Sequence, residues 1–158
     1  MYALFRSGGD TATTHGFQLP DENFVMKHDG SPKILVVDDD ATNRLVVRVL
    51  MERRRCTVVE AWSGKSALNA VKWDDFDAIL MDLSMPSMDG LETTKYLREG
   101  KGLLQSIPIF GLSAHTARRD VAKCLNSGMN YVLRKPFCSD GADQLLALIS
   151  RTTFQMRA

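Results

Sequence analysis

The stretch KILVVDDD, Lys33–Asp40, drives four consecutive aliphatic residues into three consecutive carboxylates. An unbroken aliphatic run suits a short strand buried on both faces, as in a parallel sheet, and not a strand that alternates between core and water. Acids crowded at the end of such a strand repel one another, and desolvation disfavours their charged forms further. A positive group is needed to hold them, either a side chain or a bound cation.

Working outward, the same texture recurs. NRLVVRVLMERR (43–54) spaces Leu45, Val46, Val49 and Leu50 as the apolar positions of a helix, and CTVVEA (56–61) is a second strand. SGKSALNAV (63–71) opens on Ser63 as an N-cap and puts Ala67, Leu68 and Val71 on one face. FDAILMD (76–82) is a third strand, and GLETTKYLREG (90–100) is a short helix ended by glycine. IPIFGLS (107–113) is a fourth strand. TARRDVAKCLNSG (116–128) is a helix that turns Val121, Cys124 and Leu125 inward and stops at Gly128. YVLRKP (131–136) is a fifth strand, and SDGADQLLALIS (139–150) is a closing helix capped by Ser139. Five βα units in succession predict an α/β fold, a flavodoxin-like doubly wound five-stranded parallel sheet of order 2-1-3-4-5 with helices on both faces.

Residues 1–31 differ. They are rich in Gly, Thr, Ser and Asp, with no apolar period, and read as a flexible N-terminal extension or linker in which FQLPDENFVMK could form a short docked segment. The expected domain is 32–153, with a tail at 154–158. The 158-residue length suits one domain, and 44% hydrophobic with 25% charged residues is ordinary for a globular protein. A net charge of +1 offers no general attraction to nucleic acid or to an anionic membrane. No apolar run approaches the roughly 18–20 residues of a membrane span, and the N-terminus lacks the pattern of a secretory signal. Cys56, Cys124 and Cys138 are scattered and read as free thiols of a reducing cytoplasm. The basic run ERRRC (52–56) reads as a solvated helix end and not as a nucleic-acid stripe.

In the expected strand order, the strand ends bring Asp38–Asp40, Asp82, Ser113 and Lys135 to one edge of the sheet. Several carboxylates in a shallow cleft suit a hard divalent cation such as Mg²⁺. The lysine and the hydroxyl are placed to hold the oxygens of a phosphoryl group. Asp82 then reads as a metal-assisted nucleophile.

The blocks ILVVDDD, ILMDLSMPSMDG, LSA and LRKPF, in this order over about 33–151, resemble the signature of the receiver domain of two-component response regulators. GMN before KP is most similar to receivers of hybrid sensor kinases and phosphorelays. The resemblance implies that Asp82 is the phosphoacceptor and Asp39 a direct Mg²⁺ ligand, with Asp38 helping through water or a hydrogen bond. It implies that the Ser84 backbone carbonyl completes the metal site, that Ser113 is the switch hydroxyl, and that Lys135 pairs with the phosphoryl group ahead of a cis peptide to Pro136. Asp40 is expected to face solvent. The implied partner is a sensor histidine kinase or a histidine phosphotransfer protein. The implied chemistry is limited to the domain's own phosphorylation and dephosphorylation. Ser84 and His115 take the positions that flank attacking water. Val132 stands where receivers commonly carry an aromatic ring.

Two other readings compete. ILVVDDDAT also fits the opening motif of haloacid-dehalogenase-type phosphatases, with Asp38 as nucleophile and Asp40 as acid/base, and with IFGLS and Lys135 as the next motifs. That family needs a later acidic motif after another strand, whereas Asp140 and Asp143 follow Lys135 with no strand between. ILMDLSMPSMDG would also be left without a role. The third reading is a degenerate receiver that binds partners and is never phosphorylated. Plainer roles are also open to single residues: a helix N-cap for the acids, a loop contact for Asp82, a backbone bond for Ser113 and solvent exposure for Lys135.

Overall fold

A computed structural model describes residues 31–100, 105–115 and 117–154. The expected extension lies outside the described residues but for Ser31, and the expected tail but for Phe154. Five parallel strands, β1 (Lys33–Val37), β2 (Thr57–Ala61), β3 (Ala78–Asp82), β4 (Ile109–Ser113) and β5 (Tyr131–Arg134), form one sheet in the order β2-β1-β3-β4-β5. Every residue of β3 and β4 is buried, as an unbroken aliphatic run predicts for a strand covered on both faces. The edge strand β2 buries only Ala61.

Alternate residues along the strands feed two cores. Leu35, Val37, Ile79, Met81, Ile109 and Val132 pack beneath α2 (Gly64–Trp73), α3 (Gly90–Glu99) and α4 (Arg118–Asn126). Ile34, Val36, Leu80, Phe110, Leu112 and Leu133 pack beneath α1 (Ala41–Glu52) and α5 (Ser139–Phe154). From β1 the chain winds outward to β2, and from β3 it winds outward the other way. The crevice between β1 and β3 at their carboxyl ends is thus the topological switch point, where open α/β sheets bind ligands.

The helix ends follow local chemistry. Ser63 caps α2 in a reciprocal capping box with Ser66, and Asp89 caps α3 by accepting from the Glu92 amide at 2.7 Å. After α4 the chain turns at Gly128, φ +102°, whose amide donates to Leu125 O.

Two expectations are corrected. On α1 the buried residues are Val47 and Met51, while Leu45, Val46 and Val49 are exposed and only Leu50, half-buried, joins the core. The helix carries two apolar stripes at helical spacing, and periodicity does not say which one meets the sheet. Ser139 does not cap α5 from outside. It is the first helical residue, its hydroxyl oxygen accepts from Arg54 Nη2 at 2.6 Å, and the first helical carbonyl is that of Cys138.

Candidate functional site

The site is assembled by strand register. Val37 on β1 faces Met81 on β3, so Asp38 and Asp82 follow at adjacent strand ends. Ser113 on β4 faces Arg134 on β5, which puts Lys135 one residue beyond the sheet. Lys135 Nζ lies 2.9 Å from Asp82 Oδ1 and 3.0 Å from Asp38 Oδ2. Asp38 and Asp82 are 1% and 3% exposed, whereas Asp39 is open to solvent. Asp38, Asp39 and Asp82 each present a carboxylate oxygen within 4.8 Å of the others.

Local contacts hold the buried acids. Asp38 Oδ1 accepts from the Asp40 amide at 2.9 Å, and Asn43 Nδ2 donates to both Asp38 oxygens at 3.2 Å. The Ser84 amide donates to Asp82 Oδ1 at 3.2 Å. The loop after β3 folds back over the Asp82 main chain so closely that a Cβ at Gly90 would lie 2.2 Å from the Asp82 carbonyl oxygen. Only glycine allows that approach.

Burial raises the Asp82 pKa, and the neighbouring Asp38 charge adds to the rise; the Lys135 hydrogen bond and the Ser84 amide oppose it. Burial works against the Lys135 charge, but its hydrogen bonds to Asp82 and Asp38 outweigh that and raise its pKa. One ammonium shared by two buried carboxylates therefore stays charged and leaves Asp82 incompletely compensated.

The other expected residues divide. Asp40 is exposed, as expected, and its carboxylate caps α1, accepting from the Thr42 amide at 2.6 Å and the Asn43 amide at 3.1 Å. Those two bonds, Asn43 first, lower its pKa. The Ser113 hydroxyl is turned into its own loop, donating to His115 O at 2.6 Å and accepting from the His115 amide at 3.0 Å. Ser84 and His115 are both exposed. The Lys135–Pro136 peptide is cis.

Sequence reasoning passed over Asn43 and Arg44. Their signal in the sequence is a polar pair on the first turn of α1, within helical reach of the acids, which apolar spacing does not reveal.

The donors at the cluster are all carboxylate oxygens, two buried and one open to water. Three carboxylates against one ammonium leave an excess of two negative charges. That set fits a hard divalent cation of the size of Mg²⁺, which takes a few carboxylates and keeps several waters.

Comparison with known proteins agrees with this geometry. The family model described as the response regulator receiver domain matches residues 34–150. The sensor protein GacS of Pseudomonas syringae pv. syringae is 40% identical over 108 residues, covering 67% of this chain and 12% of that protein. The chain thus spans about an eighth of that relative's length. Among solved structures, the chemotaxis response regulator CheY4 of Vibrio cholerae superposes with a TM-score of 0.71 at 28% identity, covering 75% of this chain and 98% of CheY4. The receiver domain of the sensor histidine kinase PA1611 of Pseudomonas aeruginosa PAO1 superposes with a TM-score of 0.69 at 29% identity, covering 79% of this chain and 99% of that one. That structure holds a magnesium ion in its active-site cleft.

Proposed function

The chain belongs to the response regulator receiver family, a family of signalling domains, and on that premise we propose that Asp82 accepts a phosphoryl group with Mg²⁺ bound at the acid cluster. The observation that carries the reading is the double contact of Lys135 Nζ with Asp82 and Asp38, whose carboxylate oxygens lie within 4.8 Å of one from Asp39. The donor is a phosphohistidine of a sensor histidine kinase or of a histidine phosphotransfer protein. An Asp82 oxygen attacks phosphorus, the new O–P bond forms as the N–P bond breaks, and the electron pair leaves with the imidazole, which takes up a proton. Hydrolysis of the acyl phosphate by water returns the free carboxylate, and the domain catalyses nothing beyond these two steps.

Asp38, Asp39, Asp82 and the Ser84 backbone carbonyl would hold the cation. Bound there, Mg²⁺ neutralises the charge of phosphoryl oxygens. Lys135 keeps its ammonium for the same oxygens. The Ser113 hydroxyl exchanges its bond to His115 O for one to the phosphoryl group, and the loop after β4 moves with it. Leu45, Val46 and Val49 form an exposed apolar stripe on α1, beside a cleft of about 100 Å³ lined by Asp38, Val46, Lys135 and Phe137. That surface suits a protein donor better than a small molecule. We place the folded unit at 32–153 and the protein in the cytoplasm; among the described residues no helix is long and apolar enough to cross a membrane.

The phosphatase reading asks Asp40 to move protons, and its carboxylate is instead occupied by two helix amides. A phosphoryl-donor assay with labelled acyl phosphate decides among the three readings. Label is expected on wild type, and lost in Asp82→Asn and after complete chelation. Full label in Asp82→Asn with loss in Asp38→Asn would favour the phosphatase, and no label on wild type would favour a degenerate receiver.

A further inference from the structure

Behind the acid cluster, α1 and β2 meet in a charged contact that no step above uses. Arg44 Nη1 donates to the Asp38 carbonyl at 2.8 Å and to the Asp39 carbonyl at 3.1 Å. Its Nε donates to Glu60 Oε2 at 3.1 Å, and the Arg44 side chain is only 14% exposed. Arg48 Nη1 lies 2.9 Å from the other Glu60 oxygen, an ion pair outside hydrogen-bond geometry. Glu60 is delivered by register, opposite Val36 on β1.

The two carbonyls belong to the peptide units that aim the paired acids. Asp38 has its own restraints on the carboxylate, from the Asp40 amide, Asn43 and Lys135. Asp39 has none: among the described residues no hydrogen bond holds its carboxylate, so the only part of its direction that is fixed is the Cα–Cβ bond, and the main chain fixes that. Arg44 uses two separate nitrogens, Nη1 for the two carbonyls and Nε for the carboxylate, whereas a lysine has one nitrogen and would have to leave one of the two places. Glu60, which Arg48 shares, offsets part of the guanidinium charge and so weakens its competition with a cation at the acids.

We infer that Arg44, held by Glu60, is a positioning residue for the cation site: by fixing the Asp38 and Asp39 carbonyls it aims Asp39 and sets the affinity for a divalent metal. The inference rests on the reading of the acid cluster as a metal site. It also ties that site to the edge strand β2, on the side away from Lys135.

The test is calorimetric titration of the full chain with MgCl₂, with a metal-free thermal melt of each variant. Wild type is expected to bind and Asp39→Asn to lose binding. Arg44→Lys, which keeps the charge, and Arg44→Gln, which removes it, are each expected to weaken binding by about tenfold. Glu60→Gln is expected to weaken it by about threefold. Saturating Mg²⁺ should return the rate of labelling by acyl phosphate in Arg44→Lys to within about twofold of wild type, while the metal-free melt shows the variant already folded at the assay temperature. Unchanged affinity in Arg44→Lys overturns the inference, and so does tighter binding in Arg44→Gln, which would make the arginine a mere local charge. Where an Arg44 variant does not fold, unchanged affinity in Glu60→Gln overturns it. Absence of Mg²⁺ binding by wild type, or wild-type binding by Asp39→Asn, would instead sink the metal-site reading itself, and the inference with it.

Discussion

The two ends of the sheet use the same residue types and treat them oppositely. At the amino end, Lys33 Nζ pairs with Asp74 and lies 5.6 Å from the centroid of the Phe76 ring. The Lys33 amide donates to the buried Asp77 at 2.8 Å. Arg98 reaches the carbonyls of Gly128 and Ile107 and the Asn130 side chain, which also accepts from the Ile109 amide. Burial pushes the Arg98 pKa down to about 10, so it stays charged at neutral pH. These groups answer orphaned backbone atoms where strands and helices begin and end, and they serve the fold. At the carboxyl end, two buried carboxylates and one exposed one share a single ammonium. Buried charge that is not matched costs stability, so its presence there marks a binding place and not a brace.

The sharpest test of the contrast substitutes one acid at each end. At the carboxyl end, Asp82→Asn replaces the proposed nucleophilic carboxylate by a neutral amide and should lower phosphoryl uptake by about a thousandfold or more, read as label from acyl phosphate. At the amino end, Asp77→Ala should leave uptake within about twofold of wild type. It should lower unfolding free energy by about 2–3 kcal/mol in a urea titration, since a buried acceptor of a backbone amide is lost. Strong loss of uptake in a folded Asp77→Ala protein would show that the two ends are not separable.

A smaller effect is expected from the exposed pair that flanks the site. Ser84 and His115 each stand two residues beyond a strand-end group, and both are open to water. Exchanging the pair for alanine should change the dephosphorylation rate by about tenfold, a barrier change of roughly 1.4 kcal/mol. Decay of labelled protein at the wild-type rate would remove both residues from the water path.

The unmatched charge should also be visible as stability. The folded-state pKa of Asp82 is raised above 3.8, chiefly by burial. A group raised in this way contributes stability that is full below its unfolded pKa and is lost as pH rises through its folded value. At neutral pH without metal, wild type should therefore be less stable than Asp82→Asn, by on the order of 1 kcal/mol, a shift of about 3–5 °C in the melt. The gap should close as pH falls through the raised pKa toward 3.8. A gap that widens with acid would mean that Lys135 compensates Asp82 fully.

Most of this architecture was legible in the chain. The five strands lie within the aliphatic runs, and runs such as IFGLS need burial on both faces to be stable at all. Sheet order followed from chain handedness, and with it the meeting of Asp38, Asp82 and Lys135. What could not be read depends on rotation and reach. Val47 and not Val46 faces the sheet because packing against the sheet and α5 sets the phase of α1. Arg44 finds Glu60 only because β2 lies beside β1. The Ser113 rotamer follows from a bond to a loop carbonyl that no spacing rule records.

The smallest expected change lies at the far side of the site, on β5. Val132 is buried opposite Gly111, in the core shared with Val121 and Cys124. The space beside Gly111 is already filled: a Cβ there would lie 2.8 Å from Met129 Sδ. Valine is stiff at χ1 and has no ring to swing toward the site. The neighbouring Tyr131 faces the other core, against α5, where its hydroxyl oxygen accepts from Gln144 at 3.0 Å. Occupation of Asp82 should therefore move Ser113, its loop and the start of α4 while leaving Tyr131 almost unchanged. NMR of the free protein and of its beryllofluoride adduct would check this, with shifts confined to the loop after β4 and to α4. A large cooperative change in the Tyr131 ring and along α5 would show instead that the signal crosses to the other face of the sheet, by a route that does not need an aromatic at position 132.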